Sequence, residues 1–406
     1  SDLLRSLRAR YRREGTDAFS RLEGAFCGAV VDTNLRRVVL VTDHVATYPL
    51  YWTVVDGTLV FASELRALLR YGRMRKALDA RAVADYITFG FPLGTTTLAE
   101  GVQLLPAGAT LTFAWDTGAV SIDRRATIQE AFEPWTQSEA AYTEALSAEF
   151  TQSVERTLGG GHAFGLSLSG GLDSRAILSA VDGHAPSLAT YTLGIKGCAD
   201  EVIAAKLAQL TGTQHRFFEL DDKYLKDFLP NLTRLVSLTD GMYLSHGLTE
   251  MLALRFLSEV DFTVLLRGHG GELAKASLAW PLHTDGHVYG LKTTEELIPY
   301  LLQRVNYITP GLDLSSVFEA EWARRMRDSA RESLTEALAG VALSPADQCS
   351  YLYLMEQHRR YTTASLELFR QAVEIRLPFV DLPFLRVLLR APSRWRDRSE
   401  EHTSEL

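Results

Sequence analysis

Two short glycine-containing segments place hydroxyl and carboxyl side chains directly after apolar runs. In the first, SLSGGLDS at residues 167–174, two glycines allow a tight turn whose backbone N–H groups converge on an anion, together with the next helix N-terminus. Ser169 and Ser174 add donors, whereas Asp173 would repel phosphate unless a divalent cation such as Mg²⁺ bridges them. The pattern predicts a phosphate loop or, alternatively, a strand-to-helix turn capped by Asp173 or Ser174.

The second segment is RGHGGE at residues 267–272, and it follows the strand-like run DFTVLL. If both apolar runs are strands of one parallel sheet, the two segments leave that sheet at the same edge, where ligands normally bind. Glu272 then supplies a second carboxylate for the metal that Asp173 requires. The alternative is a flexible surface turn.

The elements that must position these segments change character along the chain. Residues 24–62 alternate β-rich runs with turns, and Asp56-Gly57 between two such runs predicts a hairpin in an antiparallel sheet. Helical patterns at 64–72 and 80–90 end at glycines, and a polar stretch at 124–137 predicts the domain linker. Beyond it strands and helices alternate, which predicts a parallel sheet with helical crossovers and a mostly helical C-terminal part.

Composition narrows the class of protein. The 406 residues are 46% hydrophobic and carry a net charge of −8 without a dense basic run, so we expect neither nucleic acid nor a membrane surface as partner. The three cysteines, Cys27, Cys198 and Cys349, are widely spaced, which favours a reduced, cytoplasmic protein over a disulfide framework.

At this point the motifs resemble a known family. SLSGGLDS is similar to the pyrophosphate loop of asparagine synthetases and related ATP pyrophosphatases, and RGHGGE and EIRLPFVD (374–381) resemble two further segments of that family. RLEGAFCGAVVD, YPLYW and GTLVFASELRALL resemble the second half of a class II glutamine amidotransferase domain. The resemblance implies a partial antiparallel sandwich and connector at 1–125, a Rossmann-like ATP-pyrophosphatase domain at 126–397, and a non-native tail at 398–406.

The resemblance also implies roles for individual residues, with ATP and Mg²⁺ as cofactors. Asp173 and Glu272 would hold the metal, His269 and Glu374 would be catalytic, and Asp2 would bind glutamine. The residues expected to bind ATP or pyrophosphate are Ser169, Gly170, Gly171, Asp173, Ser174, Leu193 and Gly268.

Three features depart from the family pattern. His269 stands where asparagine synthetases carry glutamate and β-lactam-forming relatives carry tyrosine; it is either a general base for an amine or a loop histidine bonded to backbone. Arg267 replaces a small serine and could contact phosphate or the acyl substrate. Ser1 is not the N-terminal cysteine that glutamine hydrolysis needs, and RSEEHTSEL resembles a translated adaptor, so we expect a fragment truncated at both ends.

The sequence therefore predicts an ATP-dependent amide-forming ligase that adenylates a carboxylate, releases pyrophosphate and transfers ammonia or an amine. Aspartate and glutamine are the default substrates. The alternatives are a cyclase or modifying amidoligase of the β-lactam or lasso-peptide type, or a catalytically silent nucleotide-binding protein. The fragment itself could be inactive, and the oligomeric state stays open, with a homodimer among the expected forms.

Overall fold

The structure is a computed structural model. It describes residues 2–124, 128–181, 187–221, 226–243, 247–257, 259–275, 286–304, 313–392 and 395. The chain divides into a first unit, Ser1–Glu133 with Ser277–Thr363, and a second unit, Pro134–Ala276 with Ala364–Leu406. Among the helices within the described ranges, none is both long and apolar enough to cross a membrane.

The first unit is built on two antiparallel sheets, of strand order β1-β2-β6-β7 and β4-β3-β5. Their strands are β1 (Cys27–Asp32), β2 (Arg37–Thr42), β3 (Tyr51–Val55), β4 (Thr58–Ala62), β5 (Gln103–Leu104), β6 (Ala109–Ala114) and β7 (Ala119–Arg124). Leu40, Trp52 and Leu111 pack in one core cluster with contributions from both sheets. Asp56 and Gly57 both have positive φ, 50° and 74°, which is the hairpin geometry that Asp-Gly favours. The predicted antiparallel architecture is confirmed.

Helices complete the first unit. They are α1 (Asp2–Glu14), α2 (Leu65–Leu69), α3 (Ala80–Phe89), α10 (Thr294–Arg304), α11 (Ala320–Ala337), α12 (Pro345–Leu352), the π-helix Tyr353–Thr362 and 3-10 turns at Gly15–Phe19, Ile128–Phe132, Gly286–Gly290 and Leu314–Ser316. α3 ends at Gly90 in the left-handed region, as predicted, whereas α2 ends at Arg70, before Gly72.

The grouping of α11 with the first unit differs from the single boundary near residue 125 that the sequence predicts. Its Ala323 and Met326 pack against Ala84 of α3 in a shared apolar cluster. Arg81 of α3 donates to Ser333 Oγ at 2.8 Å and to Glu336 of α11. The apolar face of α3 is therefore buried by a helix more than 230 residues later in the chain.

Asp85 is a fully buried carboxyl group within this unit. Burial raises its pKa to about 7, and the opposing effects of the Leu93 N–H, Ser333, Arg81 and Arg360 do not restore the ordinary value of 3.8. The Leu93 N–H donates to Asp85 Oδ2 at 3.0 Å. The folded protein therefore binds a proton at Asp85 over a pH range in which the unfolded chain has released it.

Asp85→Asn is expected to remove a pH dependence of stability. Because the pKa is higher in the folded state, the contribution of Asp85 to the free energy of unfolding falls as pH rises from 3.8 to about 7, by up to about 1.4 kcal/mol per unit. Denaturant unfolding across that range checks this. The slope of unfolding free energy against pH should be more positive in the variant than in the unmodified protein by up to that amount, whereas the exposed-site control Asp123→Asn should follow the unmodified protein. Equal slopes for all three would contradict the assignment.

The second unit contains a parallel sheet of strand order β10-β9-β8-β11-β12. Its strands are β8 (Phe164–Ser167), β9 (Ala189–Gly194), β10 (Gln214–Glu219), β11 (Val264–Leu266) and β12 (Glu374–Arg376). Its helices are α4 (Glu139–Thr157), α5 (Leu172–Ala180), α6 (Ala199–Thr211), α7 (Phe228–Thr239), α8 (Gly247–Leu257), α9 (Glu272–Lys275), α13 (Thr363–Arg370) and α14 (Leu382–Leu388). Ser138 caps α4 by accepting from the Ala141 N–H. The alternation predicted from the sequence thus gives an α/β fold with a parallel sheet, which confirms the fold class.

Candidate active site

The first glycine loop joins the end of β8 to the start of α5. The Ser169 N–H donates to Ser174 Oγ and the Gly171 N–H donates to Ser169 Oγ, both at 3.1 Å. Gly171 is the N-cap of α5, without a side-chain cap, so neither Asp173 nor Ser174 has the capping role of the alternative prediction. Asp173 lies instead in the first turn of α5.

The second glycine loop follows β11, the neighbour of β8 in the sheet, with Leu266 opposite Leu166. Both loops therefore leave the sheet at the same edge. A Cβ placed on Gly271 would lie 2.5 Å from Asp173 Cγ and Oδ1, and one on Gly268 would lie 2.8 Å from Asp173 Cβ. The two loops are in contact, and the absence of side chains at Gly268 and Gly271 allows that approach.

Gly271→Ala is expected to lower activity about a hundredfold, because the added methyl displaces the Asp173 carboxylate by a large fraction of an ångström. Steady-state rates of pyrophosphate release with a fixed substrate check this. Gly72→Ala is the matched control, since a Cβ there meets nothing within 4 Å. An unchanged rate for Gly271→Ala would show that the position of Asp173 is unimportant.

Glu272, the other predicted metal ligand, begins α9 directly after the second loop. Its Oε2 accepts from the Gly270 N–H at 2.9 Å. Gly270 has φ of +95°, a conformation that favours glycine. Two hard-oxygen donors, Asp173 and Glu272, thus lie on touching loops; within the described ranges, no group of three or more His, Cys, Asp and Glu could hold a metal ion.

The remaining predicted nucleotide-binding residues lie at the same sheet edge. Leu193 is the penultimate residue of β9, which pairs with β8, and it is partly exposed. Gly268 is the second residue after β11 and contacts Asp173, as described above.

His269 lies between the two glycines that contact Asp173, so its backbone is fixed by that contact. Its Nε2 lies 3.5 Å from Ser365 Oγ of α13, the outer limit of a hydrogen bond. The imidazole is partly exposed.

Arg267, the first residue of the second glycine segment, forms an ion pair with a glutamate of α8. Its guanidinium donates to Glu250 Oε1 of α8 at 2.7 Å and stacks 4.4 Å from the Phe369 ring centre, and the side chain is 11% exposed. Burial alone would lower the pKa of this guanidinium, but the Glu250 carboxylate, together with Tyr191 and Tyr243, more than offsets that effect and the pKa is raised. Tyr243 also donates to Glu250, at 3.0 Å. The ion pair with Glu250 is a contact that no local pattern around Arg267 indicates, and the contact of Arg267 with phosphate or the acyl substrate stays a prediction.

Glu374 is not brought to the loops. Glu374 begins β12 opposite Val264, at the amino end of β11 and away from the edge where the loops lie. Its Oε1 accepts from Arg376 Nε at 2.8 Å. Asp2 begins α1, and its side chain lies outside the described residues, as does the predicted tail at 398–406.

Asp200 is a residue that sequence reasoning left without a role. It lies in the first turn of α6, and its Oδ1 accepts from the Gly170 N–H at 2.7 Å. The acidic pair Asp200-Glu201 was a visible signal in the sequence, but its contact with the first loop follows only from the fold.

Two family models match the chain. Residues 145–402 match the family model described as asparagine synthase, and residues 5–124 match that of a glutamine amidotransferase domain. The chain is 30% identical over 214 residues to a Mycobacterium tuberculosis protein provisionally named asparagine synthetase (glutamine-hydrolyzing), covering 51% of this chain and 33% of that protein.

Two further relatives extend the comparison. The Bacillus subtilis protein named asparagine synthetase (glutamine-hydrolyzing) 3 is 25% identical over 70% of this chain and 48% of its own length. The carboxyethyl-arginine beta-lactam-synthase of Streptomyces clavuligerus is 29% identical over 52% of this chain and 39% of its own length. The chain thus spans between a third and a half of the length of these relatives.

The fold and the matched loops define an α/β protein with an amidotransferase-like antiparallel part and an ATP-pyrophosphatase-like parallel sheet. The chain belongs to the asparagine synthase family and carries a glutamine amidotransferase domain match.

Proposed function

We propose that the protein is an ATP-dependent amide-forming ligase that activates a carboxylate as its adenylate and passes the acyl group to ammonia or an amine. Its default reaction joins aspartate to glutamine-derived ammonia, with AMP and pyrophosphate as the other products. The observation that carries the proposal is the contact between the two glycine loops around Asp173 at the carboxyl edge of the parallel sheet.

The first loop fits a polyphosphate. It combines two glycines with the N-terminus of α5, a nine-residue helix, and with hydroxyl donors at Ser169 and Ser174. Leu193 at the end of β9 would present its backbone to the adenine, and Gly268 would lie against the nucleotide. Such an array stabilises negative charge without a lysine.

The carboxylates fit a divalent cation. Asp173 and Glu272 would hold Mg²⁺, which supplies charge neutralisation on the phosphates when bound. The acyl carboxylate oxygen then bonds to the α-phosphorus, the bond from that phosphorus to the bridging oxygen breaks, and pyrophosphate leaves. The chain's own contribution to this step is to hold the triphosphate so that the attacking carboxylate oxygen, the α-phosphorus and the leaving pyrophosphate oxygen are in line.

Proton transfer in the second step is assigned to His269. The amine nitrogen bonds to the acyl carbon, the bond to the AMP oxygen breaks, and the proton lost by the amine is accepted at His269 Nε2, beside Ser365 Oγ. Glu374, paired with Arg376 at the opposite end of the sheet, is not given this role. Asp2 is proposed to bind glutamine in the amidotransferase part.

The test is release of AMP and pyrophosphate by the 406-residue chain with ATP, Mg²⁺ and a panel of carboxylates headed by aspartate. Ammonium, glutamine or an organic amine is supplied as acceptor. We expect equimolar AMP and pyrophosphate, dependent on one carboxylate. If the protein binds ATP but releases neither AMP nor pyrophosphate with any carboxylate of the panel, it is a catalytically silent nucleotide-binding protein.

The similarity to the beta-lactam-synthase favours a second candidate, intramolecular amide closure. A substrate that carries both carboxylate and amine should then be consumed without added ammonia. Its product should be lighter than the substrate by one water, as detected by mass spectrometry. Dependence on external ammonia would reject this candidate and retain the default reaction.

A further inference from the structure

The backbone N–H groups of the first loop have different acceptors. Those of Ser169 and Gly171 donate to hydroxyl oxygens within the loop itself. That of Gly170 donates at 2.7 Å to a carboxylate, Oδ1 of Asp200, which is supplied by a different element, α6. A neutral amide bonded to a carboxylate at this length is a charge-assisted hydrogen bond.

The Asp200 carboxylate is an anion on a loop whose proposed ligand is an anion. It is held close to Gly170 by packing of α6, since a Cβ on Gly170 would lie 2.9 Å from Ile203 Cδ1 and 3.1 Å from Asp200 Oδ1. Asp200 is itself exposed, so its side chain has room to turn away into solvent. The single Gly170 N–H cannot donate full-strength hydrogen bonds to a carboxylate oxygen and a phosphate oxygen at the same time.

The neighbouring carboxylate has a different partner. Glu201 Oε2 accepts from the Gly197 N–H, in the turn that precedes α6. Glu201 thus carries the same charge at nearly the same place in the chain, without a bond to the loop.

We infer that Asp200 is a resident competitor of pyrophosphate: its carboxylate occupies the Gly170 N–H when the loop is free and promotes release of pyrophosphate after adenylation. This inference rests on the proposed function. It adds a residue that controls product release, a step that limits turnover in many enzymes.

The test is binding of inorganic pyrophosphate with MgCl₂ to the full chain, measured by isothermal titration calorimetry at fixed salt. Asp200→Asn keeps the size of the side chain and removes its charge, and we expect a dissociation constant lower by about tenfold, equivalent to about 1.4 kcal/mol. Asp200→Ala, which removes the acceptor as well, should bind at least as tightly. Pyrophosphate should also become a stronger product inhibitor of both variants.

Glu201→Gln is the matched control, and its dissociation constant should change less than about twofold, because its partly exposed carboxylate bonds to the Gly197 N–H and not to the loop. An equal decrease in the pyrophosphate dissociation constant of Glu201→Gln and Asp200→Asn would mean that any lost negative charge near the loop has this effect, and it would overturn the inference. Weaker binding in Asp200→Asn, with unchanged thermal unfolding, would make Asp200 a ligand of the metal and also overturn it. Failure of the unmodified protein to bind pyrophosphate would instead contradict the proposed function.

Discussion

Replacement of Asp173 by asparagine is expected to lower pyrophosphate release by at least about a thousandfold, close to 4 kcal/mol of transition-state stabilisation. The amide keeps the shape that Gly268 and Gly271 accommodate, but it removes the negative charge that would hold the metal. The loops should therefore stay folded while the charge on the leaving pyrophosphate is no longer compensated. Initial rates at several Mg²⁺ concentrations provide the measurement.

The control for this variant is Glu155→Gln, which removes an exposed carboxylate from α4 in the same unit and should leave the rate unchanged. A recovery of Asp173→Asn at high Mg²⁺ would agree with weakened metal binding. Full activity of Asp173→Asn at low Mg²⁺ would contradict the assignment of this residue.

The second large expected effect concerns stability. Glu250→Gln leaves the Arg267 guanidinium buried without its counter-charge, and we expect a loss of about 3 to 5 kcal/mol in the free energy of unfolding. Because Arg267 is the first residue of the second glycine segment, loss of its partner should also displace that loop and lower the rate of pyrophosphate release. Urea unfolding followed by circular dichroism measures the stability loss.

Glu259→Gln is the matched control, because it makes the same change in an ion pair with Arg216 in which both side chains are about half exposed. Exposed pairs contribute roughly 0 to 1 kcal/mol, so this variant should unfold almost as the unmodified protein does. The double variant Glu250→Met with Arg267→Met should be more stable than Glu250→Gln, since it leaves no buried charge unpaired. Equal losses of unfolding free energy in Glu250→Gln and Glu259→Gln would contradict the claim that the Arg267–Glu250 pair contributes more than an exposed pair.

Sequence patterns predicted the features that depend on local chemistry. Asp56-Gly57 specifies a hairpin because both residues tolerate positive φ, and Ser138 specifies a helix start because its hydroxyl accepts a backbone N–H. The two glycine loops were predicted to share one edge because parallel strands end together, and Gly271 and Asp173 are in contact there.

Features that depend on pairing between distant segments could not be predicted in this way. Arg267 and Glu250 are 17 residues apart, and their pairing depends on where α8 lies against the sheet. Glu374 lies away from the loops because its strand register places it opposite Val264, which is fixed by hydrogen bonding and not by composition. Likewise, Asp85 on α3 faces Ser333 of a helix far along the chain.

The central claim is that the two loops form a site where a carboxylate is adenylated. The most direct measurement supplies the active carboxylate labelled with ¹⁸O, together with ATP, Mg²⁺ and the amine, and analyses the nucleotide product by mass spectrometry. Adenylation predicts AMP that carries one ¹⁸O atom, because an oxygen of the carboxylate remains on the α-phosphorus when the amide forms. Unlabelled AMP, or ADP with the label in inorganic phosphate, would contradict the account.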